Sequence, residues 1–95
     1  MSEEITKIRE KILPILKEAG VTRSSLFGSY VKGEAKKESD IDILVEVPKG
    51  TGLFAFVELQ RKLEKTLHKK VDLVTYKSIH PLLRDRILEE QLPIL

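Results

Sequence analysis

The sequence predicts a small α/β (α+β) domain in which a mixed three-stranded sheet carries helices on one face, in the order α-β-α-β-α-β-α. Two observations predict it. Three short apolar runs, at 21–27, 41–47 and 70–75, alternate with segments whose apolar residues recur at helical spacing. The second and third runs are also separated by a helix of some four turns, the length of a right-handed crossover between parallel strands. The short loop between the first two runs favours antiparallel pairing instead.

In chain order, residues 3–19 place Ile5, Ile8, Ile12, Ile15, Leu16 and Ala19 on one helical face. Glu3 and Glu4 suit the positive end of the helix dipole, and Gly20 suits the position just past the C-cap. Pro14 removes a hydrogen bond and crowds the carbonyl of Glu10, so either the helix kinks there or a shorter one begins near Leu13; a kink is the favoured reading. Residues 21–27 form the first strand, 29–33 one helical turn released by Gly33, and 41–47 the second strand, ended by Pro48. The two glycines of 49–52 make either a flap near a site or a plain connection. Phe56, Leu59, Leu63 and Leu67 then mark an amphipathic helix over 53–67. Residues 70–75 form the third strand. A last helix over 78–91 is expected to turn Leu83, Ile87 and Leu88 inward, with Pro81 in its first turn and Pro93 closing it.

Length and composition bound what surrounds this core. Ninety-five residues suffice for one domain, 1–95, with one modest core and no second domain. Without cysteine, no disulfide, thiolate nucleophile or thiolate metal site is available. No signal segment or apolar run of about 18 residues is present, so a cytoplasmic protein without membrane attachment is expected. A net charge of +2 is too small to argue for direct nucleic-acid binding. Charged residues make up 34% of the chain, mostly Lys and Glu, and asparagine is absent, a composition that leans towards that of thermophiles.

The chemistry is concentrated between Leu26 and Val47, LFGSYVKGEAKKESDIDILVEV. Residues two apart in a strand share a face and lie roughly 6–7 Å apart. Asp40 and Asp42 therefore project together, while Ile41, Ile43, Val45 and Val47 line the core face. Two carboxylates at a strand mouth repel each other and suggest a cation. Gly28-Ser29 follows an apolar strand, where a missing Cβ lets backbone approach a ligand closely. A helix beginning at Ser29 would offer free N–H groups and a hydroxyl to phosphate. The topology brings Gly28-Ser29, Asp42 and Asp72, the last from the third strand, to one edge of the sheet.

Gly28-Ser29, ten residues, then Asp40-x-Asp42 resembles the GS-x10-DxD signature of the nucleotidyltransferase superfamily that includes DNA polymerase β. The phrase LFGSYVKGEAKKESDIDILV is most similar to the minimal nucleotidyltransferases, or MNT proteins, usually encoded beside a HEPN-domain partner. The resemblance runs from about Ile12 to Ile87 and implies a polymerase β palm-like fold. Three carboxylates at one edge suit Mg²⁺ through all-oxygen ligation, and two ions about 4 Å apart clamp the attacking and leaving oxygens of an in-line displacement. By resemblance, Asp40 and Asp42 hold both metals, and Asp72 binds the catalytic metal and helps deprotonate an acceptor hydroxyl. Gly28 and Ser29 grip the phosphates that leave as pyrophosphate. Many relatives read GSxARG where this chain reads Gly28-Ser29-Tyr30-Val31-Lys32-Gly33; Lys32 keeps the charge without the bidentate fork of arginine.

Each feature alone has a plainer explanation: an ordinary turn at Gly28-Ser29, an edge-strand acid at Asp72. The combination points to a site. His68 and His80 read as surface or capping residues, Tyr30 and Tyr76 as rim of the core, and Lys36-Lys37 and Lys69-Lys70 as solvated faces. No polymerase thumb or acceptor domain is evident, so the acceptor is expected to arrive on another molecule. The expected reaction is transfer of a nucleotide, AMP from ATP foremost, to a hydroxyl. The resemblance implies a HEPN-domain toxin as partner and acceptor, modified on a tyrosine, with this chain as antitoxin. The alternatives are a catalytically weak domain that neutralises the partner, or builds a homo-oligomer, by contact alone, and the transfer half of a small-molecule nucleotidyltransferase.

Overall fold

The computed structural model describes residues 2–95. Helix α1 (Glu3–Glu18) starts on Ser2, whose hydroxyl accepts from the N–H of Ile5 at 3.1 Å, and carries Glu3 and Glu4 in its first turn. It ends where Gly20, at φ +78°, donates to the carbonyl of Lys17 while Val21 donates to that of Leu16. This paired arrangement satisfies the last carbonyls and needs a residue free to adopt positive φ. The helix runs unbroken across Pro14, so no shorter helix begins near Leu13. Strand β1 (Arg23–Phe27), the single turn α2 (Ser29–Lys32), β2 (Ile41–Glu46), α3 (Leu53–Leu67) and β3 (Val71–Thr75) follow within two residues of the expected bounds.

The sheet order is β3-β2-β1-β4, with β2 parallel to β3 and antiparallel to β1. The expected three strands gain a fourth, β4 (Leu92–Pro93), antiparallel to β1 at Ser25 and Leu26. A two-residue edge strand containing proline has no period to betray it. On the outer side of β3, Gln60 donates to the carbonyl of Val71 and Glu64 accepts from its N–H, both at 2.9 Å. These side chains of α3 satisfy backbone groups that an edge strand would otherwise leave open.

Strand alternation sorts the sheet into two faces. Leu26, Ile41, Ile43, Val45, Val71 and Leu73 join Ile8, Ile12, Leu16, Leu59 and Leu63 of α1 and α3 in the main core. The opposite face has a smaller cluster, Leu44, Tyr76 and Ile79, flanked by Ile87 and Leu88 of α4 (Pro81–Glu90). Helices α1 and α3 thus cover one face as expected, and α4 lies against the other. The last helix, expected from 78, starts later: Tyr76–Ser78 forms a 3-10 turn, and α4 begins only at Pro81, capped by His80, whose Nδ1 accepts from the N–H of Leu82. Leu83, expected to face inward, is 52% exposed. Ile87 and Leu88 face inward as expected, packed against the smaller cluster.

Candidate active site

On the less covered face, the register decides which side chains meet. Asp42 stands opposite Asp72 across the parallel pair and opposite Phe27 across the antiparallel pair. Cross-strand partners share a face, and adjacent strands lie about 4.8 Å apart. The residue after Phe27 is Gly28, which turns the chain at φ +77°, ψ −152°, a conformation open in practice only to glycine. A Cβ at Gly28 would stand 2.9 Å from Cγ of Asp42 and closer still to its Oδ2. The bend and the carboxylate therefore occupy adjoining space because Gly28 has no side chain. Beyond it, α2 makes its first bonds at Val31 and Lys32, both donating to the Gly28 carbonyl. The N–H groups of Ser29 and Tyr30 have no backbone partner among the described residues.

Electrostatics reinforce the geometry. The Asp42 carboxyl is raised from 3.8 to about 6, first by burial, then by the charges of Asp72 and Asp40, and last by a hydrogen bond with the Asp72 side chain. Among the described residues, none of the three carboxylates has a salt-bridge partner. Asp40 precedes β2 and is exposed. Its charge reaches Asp42 without closing the set: no three acidic, histidine or cysteine side chains of the described residues form a ready ligand group. Asp42 and Asp72 are the pair, and Asp40 flanks it. Acid oxygens without compensating cations fit a hard divalent ion such as Mg²⁺, which takes few protein carboxylates and completes its shell with phosphate and water.

A groove of about 220 Å³ opens beside this bend, lined by Phe27, Gly28, Lys32, Leu83, Ile87 and Glu90 among others. Lys32 Nζ lies 3.5 Å from Glu90 Oε2, a partner far along the chain that no local pattern reveals.

The nucleotidyltransferase domain model matches residues 9–94. This chain belongs to the nucleotidyltransferase domain family. Within it, the chain is a minimal nucleotidyltransferase of the polymerase β-like superfamily. It is 54% identical over 91 residues to a Methanocaldococcus jannaschii protein named provisionally as a protein adenylyltransferase, covering 96% of this chain and 98% of the relative. It is 44% identical over 71 residues to the protein adenylyltransferase MntA of Thermococcus cleftensis, covering 75% and 72% of the two chains. A solved structure described provisionally as a minimal nucleotidyltransferase superposes with TM-score 0.83 at 35% identity, covering 96% of this chain and 93% of that one. A toxin-antitoxin structure with AMP-PNP gives TM-score 0.79 at 30% identity, covering 92% and 72%. An MNT antitoxin in complex with a tri-AMPylated HEPN toxin of Shewanella oneidensis gives 0.73 at 27%, covering 95% and 71%.

For a minimal nucleotidyltransferase, the positions expected to act are brought together in unequal degree. Asp42, Asp72 and Gly28 adjoin, Ser29 follows at the start of α2, and Asp40 stands at the rim. His68 ends α3 at φ +54° and His80 caps α4, structural posts for both histidines. Tyr76 is buried, its hydroxyl donating to Ser25 Oγ at 3.0 Å.

Proposed function

We propose that this nucleotidyltransferase transfers AMP from ATP to a tyrosine hydroxyl of a HEPN-domain toxin and thereby acts as its antitoxin. The observation that carries the site assignment is the meeting of Asp42 with Asp72 and Gly28 on one face of the sheet. The acceptor and antitoxin role are supported by the names of the relatives and by the likeness to antitoxins solved with a HEPN toxin. Asp40, Asp42 and Asp72 would hold Mg²⁺, two ions by the logic of in-line displacement, which supply Lewis-acid stabilisation when bound.

The rest follows from the chain's own groups. The N–H groups and hydroxyl at Ser29 hold the two outer phosphates, and Gly28 lets backbone approach them. Asp72, exposed at the open edge, accepts the proton of the incoming hydroxyl. The hydroxyl oxygen forms its bond to the α-phosphorus as the bond to the β-phosphate bridging oxygen breaks, and pyrophosphate leaves with that electron pair. Asp42, which adjoins both Asp72 and Gly28, would help hold Mg²⁺ between the acceptor side and the phosphate side of the site.

The test combines purified chain, Mg²⁺, ATP labelled at the α-phosphate and the HEPN protein encoded beside it. Covalent label on the HEPN protein that disappears with Asp42→Asn supports the proposal. Equal neutralisation of that protein by both forms, without label, leaves contact alone as the mode of action.

A further inference from the structure

The sheet edge that carries the acidic pair has a second concavity on its other side. A pocket of about 440 Å³ opens between the first turns of α1, the loop following α2 and the end of α3. Its lining holds Lys7, Lys11, Lys36, Lys37 and Lys69 against one acid, Glu4. Lys7 is paired with Glu3 at 3.4 Å, whereas the other four have no ion-pair partner among the described residues. Ammonium groups gathered around one concavity raise its potential and concentrate anions there.

The position is set by the fold. Lys69 Nζ donates to the carbonyl of Lys37 at 2.7 Å, tying the end of α3 to the loop, and lies 5.8 Å from the centre of the Tyr30 ring. Ile8, Ile41 and Leu67 add an apolar floor. Tyr30 also lines the pocket and is only 7% exposed. Unlike Tyr76, its hydroxyl has no hydrogen-bond partner among the described residues, yet it is not among the side-chain oxygens sealed from solvent. The Tyr30 hydroxyl is thus an unpaired donor, among the described residues, on a side chain that lines the lysine-rich cavity. Strands alternate faces, so Ile41 and Tyr30 belong to the main-core side while Asp42 and Gly28 belong to the other.

We propose that this pocket is a second ligand site, separate from the acidic edge, for a small phosphate-bearing anion of the polyphosphate class, free or as the tail of a nucleotide. Lysines close on it from three segments, and the Tyr30 hydroxyl donates to a phosphate oxygen. Charge-assisted hydrogen bonds of this kind are the strong ones. The concavity selects a compact ligand over an extended backbone, which would follow a stripe of charge instead. The site needs no divalent ion, whereas the carboxylates of the acidic edge repel phosphate unless a divalent ion offsets them.

The test is calorimetric titration of tripolyphosphate into the full chain in EDTA at low salt. The expected result is one site per chain, weakened about tenfold in Lys11→Gln/Lys69→Gln, several-fold in Tyr30→Phe, and unchanged in Asp42→Asn. Tyr30→Phe removes one oxygen from a core residue, and its melting curve reports whether the fold is intact. The proposal is overturned by an absence of binding to wild type, by equal binding in the lysine and tyrosine variants, or by loss of binding in Asp42→Asn. A ten-nucleotide single-stranded RNA that displaces tripolyphosphate at lower phosphate concentration would overturn it in favour of a nucleic-acid track. Because no metal, labelled ATP or partner is present, failure here is distinct from failure of adenylyl transfer.

Discussion

The two faces of β2 are made from alternate residues of one strand and do opposite work. Ile41, Ile43 and Val45 are at most 2% exposed beneath α1 and α3. Asp42, one position out of phase, is half-buried against Asp72 and Gly28, with no salt-bridge partner among the described residues. The covered face gains its stability from apolar area removed from water. The open face stores repulsion between acids, tolerated because the same strand is anchored behind. Stability and chemistry are therefore separable by register, and substitutions one residue apart should have unrelated consequences.

The largest contrast is between neighbours. Asp42→Asn is expected to lower labelled AMP transfer by several kcal/mol of barrier, on the order of 10³-fold, while leaving the thermal midpoint equal or higher, since one repelling charge is gone. Ile43→Ala, by contrast, should cost about 2–5 kcal/mol in denaturant unfolding and lower activity only as far as it depletes folded protein. Destabilisation by Asp42→Asn comparable to that of Ile43→Ala would erase the distinction.

Gly28→Ala tests the seam between the faces. Its positive φ and the approach of Asp42 make any side chain strained there. A loss of more than about 1 kcal/mol in stability is expected, together with nucleotide binding weakened beyond what unfolding explains, measured by titration of a non-hydrolysable ATP analogue.

The pH dependence is smaller and has a definite sign. The Asp42 carboxyl titrates near 6 in the fold, above its ordinary 3.8, so the folded state holds the proton more tightly. Its favourable contribution is complete below about 4 and is lost as pH rises through about 6. Metal-free protein should show this slope between pH 4 and 7 in its melting midpoint, and Asp42→Asn should flatten it. The smallest effect is expected from Lys32→Ala. Its pair with Glu90 is partly exposed and contributes at most about 1 kcal/mol to stability.

Much of this arrangement was legible in the amino-acid order. Alternation in DIDILVEV assigned Asp42 and Ile43 to opposite faces, and the four-turn spacer before VDLV implied parallel strands with Asp42 level with Asp72. What stayed hidden depends on contacts without period. Strand β4 is a Leu-Pro pair recognisable only by its bonds to β1. The exposed Leu83 reflects a helix start moved to Pro81 by the 3-10 turn, where Arg84 donates to the Tyr76 carbonyl at 2.9 Å. The lysine pairs at 36–37 and 69–70 read as solvated, because nothing local says that Lys69 and Lys37 meet.

The most direct measurement is Mn²⁺ binding by electron paramagnetic resonance with a non-hydrolysable ATP analogue, comparing wild type with Asp42→Asn, Asp72→Asn and Glu90→Gln. The account predicts bound Mn²⁺ in wild type and Glu90→Gln and a loss of at least about tenfold in affinity in either aspartate variant. Equal Mn²⁺ binding in all four proteins would contradict it.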